Sequence, residues 1–327
     1  MTKAYSNFMK EIESGKFVFT GELEPKKTID ITDVFKEAES LRGHVTACNI
    51  TDNPCSNASI SSLVAAHLVQ EKTGMEVIYQ LRCTDRNRIA LVSDLLGAAA
   101  LDIKNVLALT GDHTLLGDMP NAKPVYDLDS TNLIRMIHRM VTEGKDLNGQ
   151  DLSGPRPQFN IGAAANPNTT PSGPEILKLI RKIESGVDFL QTQVCFEIEK
   201  TLEFLENLKV FNIPILIGVF PMKNYGTAEF FAKYIPGVTV PRNLLEKYKK
   251  IKESSSSKKE KRVMYDELNL EFFVPFIKEL MNSGLCAGCH IMSVHYSELI
   301  PKLLKEVNAV IPTTLPEPIQ AIQLTES

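Results

Sequence analysis

The sequence has no tryptophan, and aromatic residues make up only 7% of its 327 positions, so Phe and Tyr must supply every large ring. Cysteine is scarce too: six residues, scattered, with only Cys286 and Cys289 closely spaced. A small disulfide framework would use more, so the expectation is free thiols in a reducing cytoplasm. Apolar runs reach about eight residues, as at 213–220, far short of the ~20 that span a bilayer. The opening MTKAYSNFMKEIESGKF lacks the apolar stretch of a signal peptide. A net charge of −4 and a pI near 5.9 argue against a general nucleic-acid binder. There is no GxGxxG, no GxxxxGK(S/T) and no HExxH, so neither a dinucleotide fold, a P-loop nor a zinc-protease helix is indicated. The expectation is a cytoplasmic globular protein with no membrane or nucleic-acid partner.

What is present is a rhythm. Eight short runs rich in β-branched residues stand at 17–25, 44–51, 76–83, 105–112, 159–167, 189–196, 213–221 and 288–295. Most are continuously apolar, which suits parallel strands covered by helices. Between them lie amphipathic stretches at 31–41, 59–72, 88–101, 131–141, 175–183, 200–208 and 227–234, with another at 298–307. Gly43, Gly74, Gly144, Gly186 and Asn212 stand where helices should stop before strands. Eight β-then-α units predict an α/β fold, a single (β/α)8 TIM barrel over 1–327, in preference to a doubly wound sheet. Extended segments follow strands 4 and 7. The second contains a Ser/Lys-rich stretch at 252–262 that reads as a surface loop, and 310–327 reads as a C-terminal tail.

Active sites of such barrels form at the C-terminal strand ends. Strand 1 ends in Glu22-Leu23-Glu24-Pro25, with Glu22 and Glu24 on one side. A carboxyl group aimed into a barrel mouth among apolar side chains holds its proton tightly, which suits a general acid, although pairing with Lys26 or Lys27 is the alternative. Strand 4 ends in Leu109-Thr110-Gly111-Asp112, where glycine allows close approach to a ligand or simply makes a turn. Strand 6 carries Gln191-Thr192-Gln193, amides that need partners from a ligand or a neighbouring strand. After strand 5, Lys178, Arg181 and Lys182 form one basic helix face, a phosphate grip or a solvated surface. Cys286-x-x-Cys289-His290 lacks further ligands at zinc spacing, so no metal site is expected.

Together these segments resemble the methylenetetrahydrofolate reductase family, flavin-dependent barrels of one-carbon metabolism. The resemblance runs from about Val18 to Val307 and rests on TGELEPKKT, NITDN, QLRCTDRNR, LALTGD, IGAAANP, LKLIRKIESGVDFLQTQ and GVFPMKNYGTAEFF, in that order. The chain looks like the short prokaryotic type, with the catalytic barrel alone and no regulatory extension. The resemblance implies that hydride passes from a donor to flavin and then to 5,10-methylenetetrahydrofolate, or its methanopterin analogue, giving the 5-methyl form. It makes Glu22 the general acid and Asp112 a second catalytic group near the flavin and pterin. Gln193 and Tyr225 match substrate-binding positions. Thr51, Gln80, Thr110, Gly111, Asp112, Tyr126, Ala164, Asn166, Glu175, Lys178, Arg181 and Lys182 match flavin-binding ones. The family often has His at Gln80, Arg at Thr110 and Tyr at Asn166, which leaves FMN open beside FAD. The implied partners are a reduced pterin and NAD(P)H, reduced ferredoxin or a reduced deazaflavin, in a homo-oligomer or with a partner subunit. The rival reading is a flavin-binding electron-relay subunit of a larger complex, suggested by 252–262 and the Cys286/Cys289 pair.

Overall fold

The computed structural model describes residues 3–307 except 236, 294 and 295. The eight apolar runs form eight strands, each within its run: β1 (Val18–Leu23), β2 (Ala47–Ile50), β3 (Val77–Arg82), β4 (Asn105–Leu109), β5 (Asn160–Ala165), β6 (Phe189–Val194), β7 (Ile215–Val219) and β8 (Gly288–Ile291). Each strand pairs in parallel with the next, and β8 returns to β1 through Val18↔Gly288, Phe19↔Cys289 and Thr20↔His290. The barrel is closed, so no strand edge is left to recruit another chain.

Helices α1 (Asn7–Glu13), α2 (Thr32–Leu41), α3 (Ser62–Thr73), α4 (Arg88–Ala100), α5 (Ser130–Thr142), α6 (Gly173–Glu184) and α7 (Ile198–Leu208) lead up to β7. Three more, α8 (Tyr225–Tyr234), α9 (Arg242–Glu253) and α10 (Lys258–Ser283), separate β7 from β8, and α11 (Ile300–Glu306) follows β8. The stop signals work as expected: Gly74, Gly144, Gly186 and Asn212 have φ of 65°, 71°, 103° and 46°, a region costly for most side chains. None of the helices among the described residues is long and apolar enough to cross a membrane.

Two elements depart from expectation. The stretch 252–262 is mostly helical, because α9 runs to Glu253 and α10 starts at Lys258, leaving a four-residue connection. Its Ser/Lys composition suggests a linker, but Lys and Glu favour helix, and Ser257 and Glu260 form a reciprocal capping box. Helix α1 lies in a stretch with no expected element. Residues 294–295 of the eighth run, and the tail 310–327, lie outside the described residues.

Period-2 alternation divides each strand between two environments. Outward residues such as Phe19, Ile50, Tyr79, Val106, Ile161 and Ile217 pack in one large core with the helices. Inward residues Val18, Ala47, Ile78, Leu107, Phe189 and Leu216 form a second cluster, sealed at the N-terminal mouth by Phe8, Met9 and Ile12 of α1. Phe8 meets Phe189 edge-on, with ring centroids 5.1 Å apart. Ser6 caps α1 through Met9 N at 3.0 Å, and the Glu76 carboxyl accepts from Asn7 N and Phe8 N at 2.9 and 3.0 Å. The N-terminal mouth is therefore closed by the packing of α1.

Candidate active site

At the C-terminal strand ends the barrel opens into a cleft of about 900 Å³. Eleven expected site residues line it: Glu22, Thr51, Gln80, Thr110, Gly111, Asp112, Ala164, Lys178, Arg181, Lys182 and Gln193. Most sit at the last inward position of a strand or just beyond, so the parity that fills the lower barrel with apolar groups places these side chains in the cleft.

Glu22 stands at the cleft floor with its side chain 15% exposed, and its Oε2 lies 3.4 Å from His290 Nε2. Behind it the barrel interior is polar and buried. His290 Nδ1 is 3.0 Å from Thr20 Oγ1, and Thr20 Oγ1 accepts from Gln191 Nε2 at 3.3 Å. Gln191 and Asn49 exchange a reciprocal amide pair of 2.7 and 3.1 Å. The partner that the strand 6 amide required is thus neither a ligand nor an adjacent strand for Gln191 but β2 and β1 across the barrel interior. Gln193, two residues on, lines the cleft, and its side-chain oxygen accepts from Val194 N at 2.9 Å.

Asp112 is held by a loop in an unusual conformation. Asn53, Cys55 and Ser56 have φ of 48°, 51° and 56°, a region that non-glycine residues enter only when the surroundings hold them there. The restraint comes from Arg82, buried at the end of β3. Its Nη1 donates to Asn53 O at 2.9 Å and Ser56 Oγ at 3.2 Å, and its Nη2 pairs with Asp85 at 2.9 Å. The loop then holds the aspartate: Cys55 N donates to Asp112 Oδ2 at 2.9 Å, and Ser56 Oγ donates to Asp112 O at 2.8 Å. Gly111, at φ 89°, must be glycine, since a Cβ there would run into Thr84 Oγ1.

The basic face of α6 is turned toward the cleft. Lys178 and Arg181 are exposed, whereas Lys182 is buried with its Nζ donating to Ala164 O at 2.6 Å. Burial pushes the Lys182 ammonium down to about 8, and the neighbouring Lys178 adds to that, against the pull of Glu175. An anion bound beside these three cations would relieve their repulsion. Gln80 is likewise buried at the cleft wall, and among the described residues its side-chain amide makes no hydrogen bond.

Four expected residues do not line the cleft. Buried Glu175 supports it from behind, accepting from Asn166 N and Lys178 Nζ, each at 3.0 Å. Asn166 is engaged with Asn168 N at 3.1 Å. Tyr126, at φ 41°, reaches Gly111 O with its hydroxyl at 3.5 Å. Tyr225 opens α8 and donates to Glu229 at 3.3 Å, with Lys252 Nζ 4.7 Å from its ring centre. Conversely, His290 stands in the sequence only as a neighbour of the two cysteines, yet strand parity on β8 puts it inside the barrel and Cys289 outside. Burial pushes the Cys286 thiol up to about 12 and Cys289 well above its usual range, so neither supplies a ready thiolate. Among the described residues no three His, Cys, Asp or Glu side chains are grouped to hold a metal ion.

The likeness to known proteins agrees with this geometry. The family model described as methylenetetrahydrofolate reductase matches residues 7–308. Methylenetetrahydrofolate reductase 2 of Schizosaccharomyces pombe is 23% identical over 301 residues, covering 86% of this chain and 44% of that protein. A probable methylenetetrahydrofolate reductase (NADPH) of Caenorhabditis elegans is 23% identical over 253 residues, 76% of this chain and 34% of that one. The chain thus spans less than half the length of these two relatives. The 5,10-methylenetetrahydrofolate reductase of Buchnera aphidicola subsp. Schizaphis graminum is 22% identical over 242 residues, 71% of each. Among solved structures, an uncharacterized protein from Clostridium thermocellum that binds two copies of 5-methyl-5,6,7,8-tetrahydrofolic acid shares the fold, with a TM-score of 0.61 at 15% identity. That match covers 91% of this chain and 98% of the other.

Proposed function

The chain belongs to the methylenetetrahydrofolate reductase family, and from that premise we propose that it is a flavin-dependent oxidoreductase reducing the methylene bridge of 5,10-methylenetetrahydrofolate, or of a methanopterin analogue, to a methyl group. The observation that carries the reading is one cleft in which the acid Glu22, the amide Gln193 and the cations Lys178, Arg181 and Lys182 share the walls.

The cleft's donor set fits a flavin. Lys182 is a buried cation beside two others and suits a phosphate, while the open amide of Gln80 and the backbone at Thr110 and Gly111 suit a heterocycle edge. Thr51, Ala164 and Asp112 complete the contacts we assign to it, Tyr126 closes the rim, and Glu175 and Asn166 act from behind by fixing Lys178 and the strand 5 end. FAD and FMN both present the phosphate and the ring that these groups suit. When bound, the flavin supplies the hydride that reduces the substrate carbon.

The protein's own residues do the rest. Opening the imidazolidine ring requires a proton on the departing nitrogen, a role we assign to Glu22. Its O–H bond breaks, an N–H bond forms, and the ring opens to an iminium cation. Gln193 holds the pterin through its amide hydrogens, which make no hydrogen bond among the described residues. Asp112 favours the cationic iminium electrostatically. Tyr225 stands outside the cleft walls, and stacking on a ligand would require it to leave Glu229 and Lys252. NAD(P)H, a reduced ferredoxin or a reduced deazaflavin would serve as donor.

A second reading, an electron-relay subunit that needs a partner, is favoured by one observation. Residues 242–262 carry nine Lys or Arg against three Glu in a chain whose net charge is −4, so the α9–α10 hairpin is a basic surface suited to an acidic protein. Loading the protein with FAD or FMN and assaying it against a matrix of donors and pterins separates the two. Turnover by the isolated chain supports the enzyme, and turnover only with an added partner supports the relay. A protein that stays colourless after either flavin overturns both.

A further inference from the structure

Building on the reading of Glu22 as proton donor, we propose that His290 is its positioning residue, held in a single tautomer by a one-way chain of hydrogen bonds that crosses the barrel interior. The chain starts at the amide pair. Gln191 accepts from Asn49 Nδ2 at 2.7 Å and returns a bond to Asn49 Oδ1 at 3.1 Å, and the same Nε2 lies 3.3 Å from Thr20 Oγ1. An amide nitrogen can only donate, so the threonine oxygen accepts there and its hydroxyl hydrogen is free for His290 Nδ1 at 3.0 Å. Nδ1 then accepts, and a neutral imidazole carries its hydrogen on Nε2, the atom 3.4 Å from Glu22 Oε2.

Burial keeps this polarity from being scrambled. Thr20 and Asn49 are 0% exposed, and Gln191 and His290 are 3% exposed, above the apolar lower barrel. Other charged groups face the cleft: Asp52 and Arg82 near β3, Asp112 after β4, Asp129 before α5, and the three cations of α6. Among the described residues none of them is within hydrogen-bonding distance of Glu22 or His290.

The consequence is differential. A hydrogen bond to a carboxylate is roughly twice as strong as one to a neutral acid. As Glu22 passes its proton to the pterin nitrogen, the electron pair stays on its oxygen, 3.4 Å from Nε2, a separation that the new charge can draw in to a hydrogen bond. The contact therefore strengthens along the step, which is the condition for accelerating it.

The direct test is ¹⁵N-histidine NMR of the full chain, with His290→Gln identifying the His290 signals among the six histidines. A protonated Nε2 and a bare Nδ1 are expected, and an Nδ1–H tautomer overturns the proposal whatever the enzyme's activity. The second test is Thr20→Val, which keeps the shape and removes the hydroxyl. Pterin reduction should slow about tenfold, or about 1.4 kcal/mol, with flavin reduction by the donor as internal reference. The amide introduced by His290→Gln donates without a tautomer, so that variant should keep much of the rate lost in His290→Ala and make Thr20→Val nearly silent. Thr20→Val acting equally when combined with His290→Gln overturns the chain. If Glu22→Gln leaves pterin reduction intact, the role of Glu22 falls instead, while the tautomer measurement is judged separately.

Discussion

The lower and upper halves of the barrel interior are built from the same strands and differ by two or four residues along each. On β1 the inward side chains run Val18, Thr20, Glu22; on β2, Ala47, Asn49, Thr51; on β6, Phe189, Gln191, Gln193. Each strand thus passes from apolar, through a buried hydrogen-bonding residue, to a group that faces the cleft. The lower half is sealed by α1 and satisfies itself by packing. The upper half turns polar groups into the cleft, such as the Gln80 amide and the neighbouring cations of α6. One half of the strand is specified for stability and the other for binding, with Thr20, Asn49, Gln191 and His290 as the layer between them.

That division is best broken by substitutions confined to one half. Glu22→Gln should lower pterin reduction by about 10²–10⁴-fold, with flavin affinity and unfolding midpoint unchanged; stopped-flow measurement of the two half-reactions checks this. Phe8→Ala, at the opposite end, should cost about 3–5 kcal/mol of stability, read from the denaturant midpoint, while the protein that remains folded keeps its ligand affinity. Loss of binding in that variant would show that the halves are coupled. Lys182 gives a smaller effect with a defined sign. Below about 8 its ammonium is already charged, whereas above it binding an anion must draw in a proton. Affinity for a phosphate-bearing flavin should therefore fall as pH rises above about 8, by at most about tenfold per unit. Lys182→Met should bind more weakly at neutral pH and lose that slope in a fluorescence titration.

Much of this was legible before folding. The continuous apolar runs at 106–109 and 215–219 mark buried parallel strands because both faces of such strands are covered. Strand-end polarity marked Glu22, Gly111 and Gln193 because parallel barrels gather those ends in one mouth. Helix α1 was not legible: seven residues, Asn7–Glu13, bury only Phe8, Met9 and Ile12, too few for a periodic signal. The Arg82 frame was equally hidden, since its partners Asn53 and Ser56 are distant in sequence and their positive φ has no glycine to announce it.

The sequence by itself determined the order of strands and helices and which residues lie at strand ends, because alternation and helix-stop signals act over a few residues. Only the tertiary structure decided which strand ends meet across the cleft and that α1 closes the barrel floor. It alone joined Glu22 to His290, two residues 268 positions apart on strands that touch because the barrel closes. Local preferences fix an element and its faces, but the partner of an inward side chain is set by closure and register, which belong to the whole sheet.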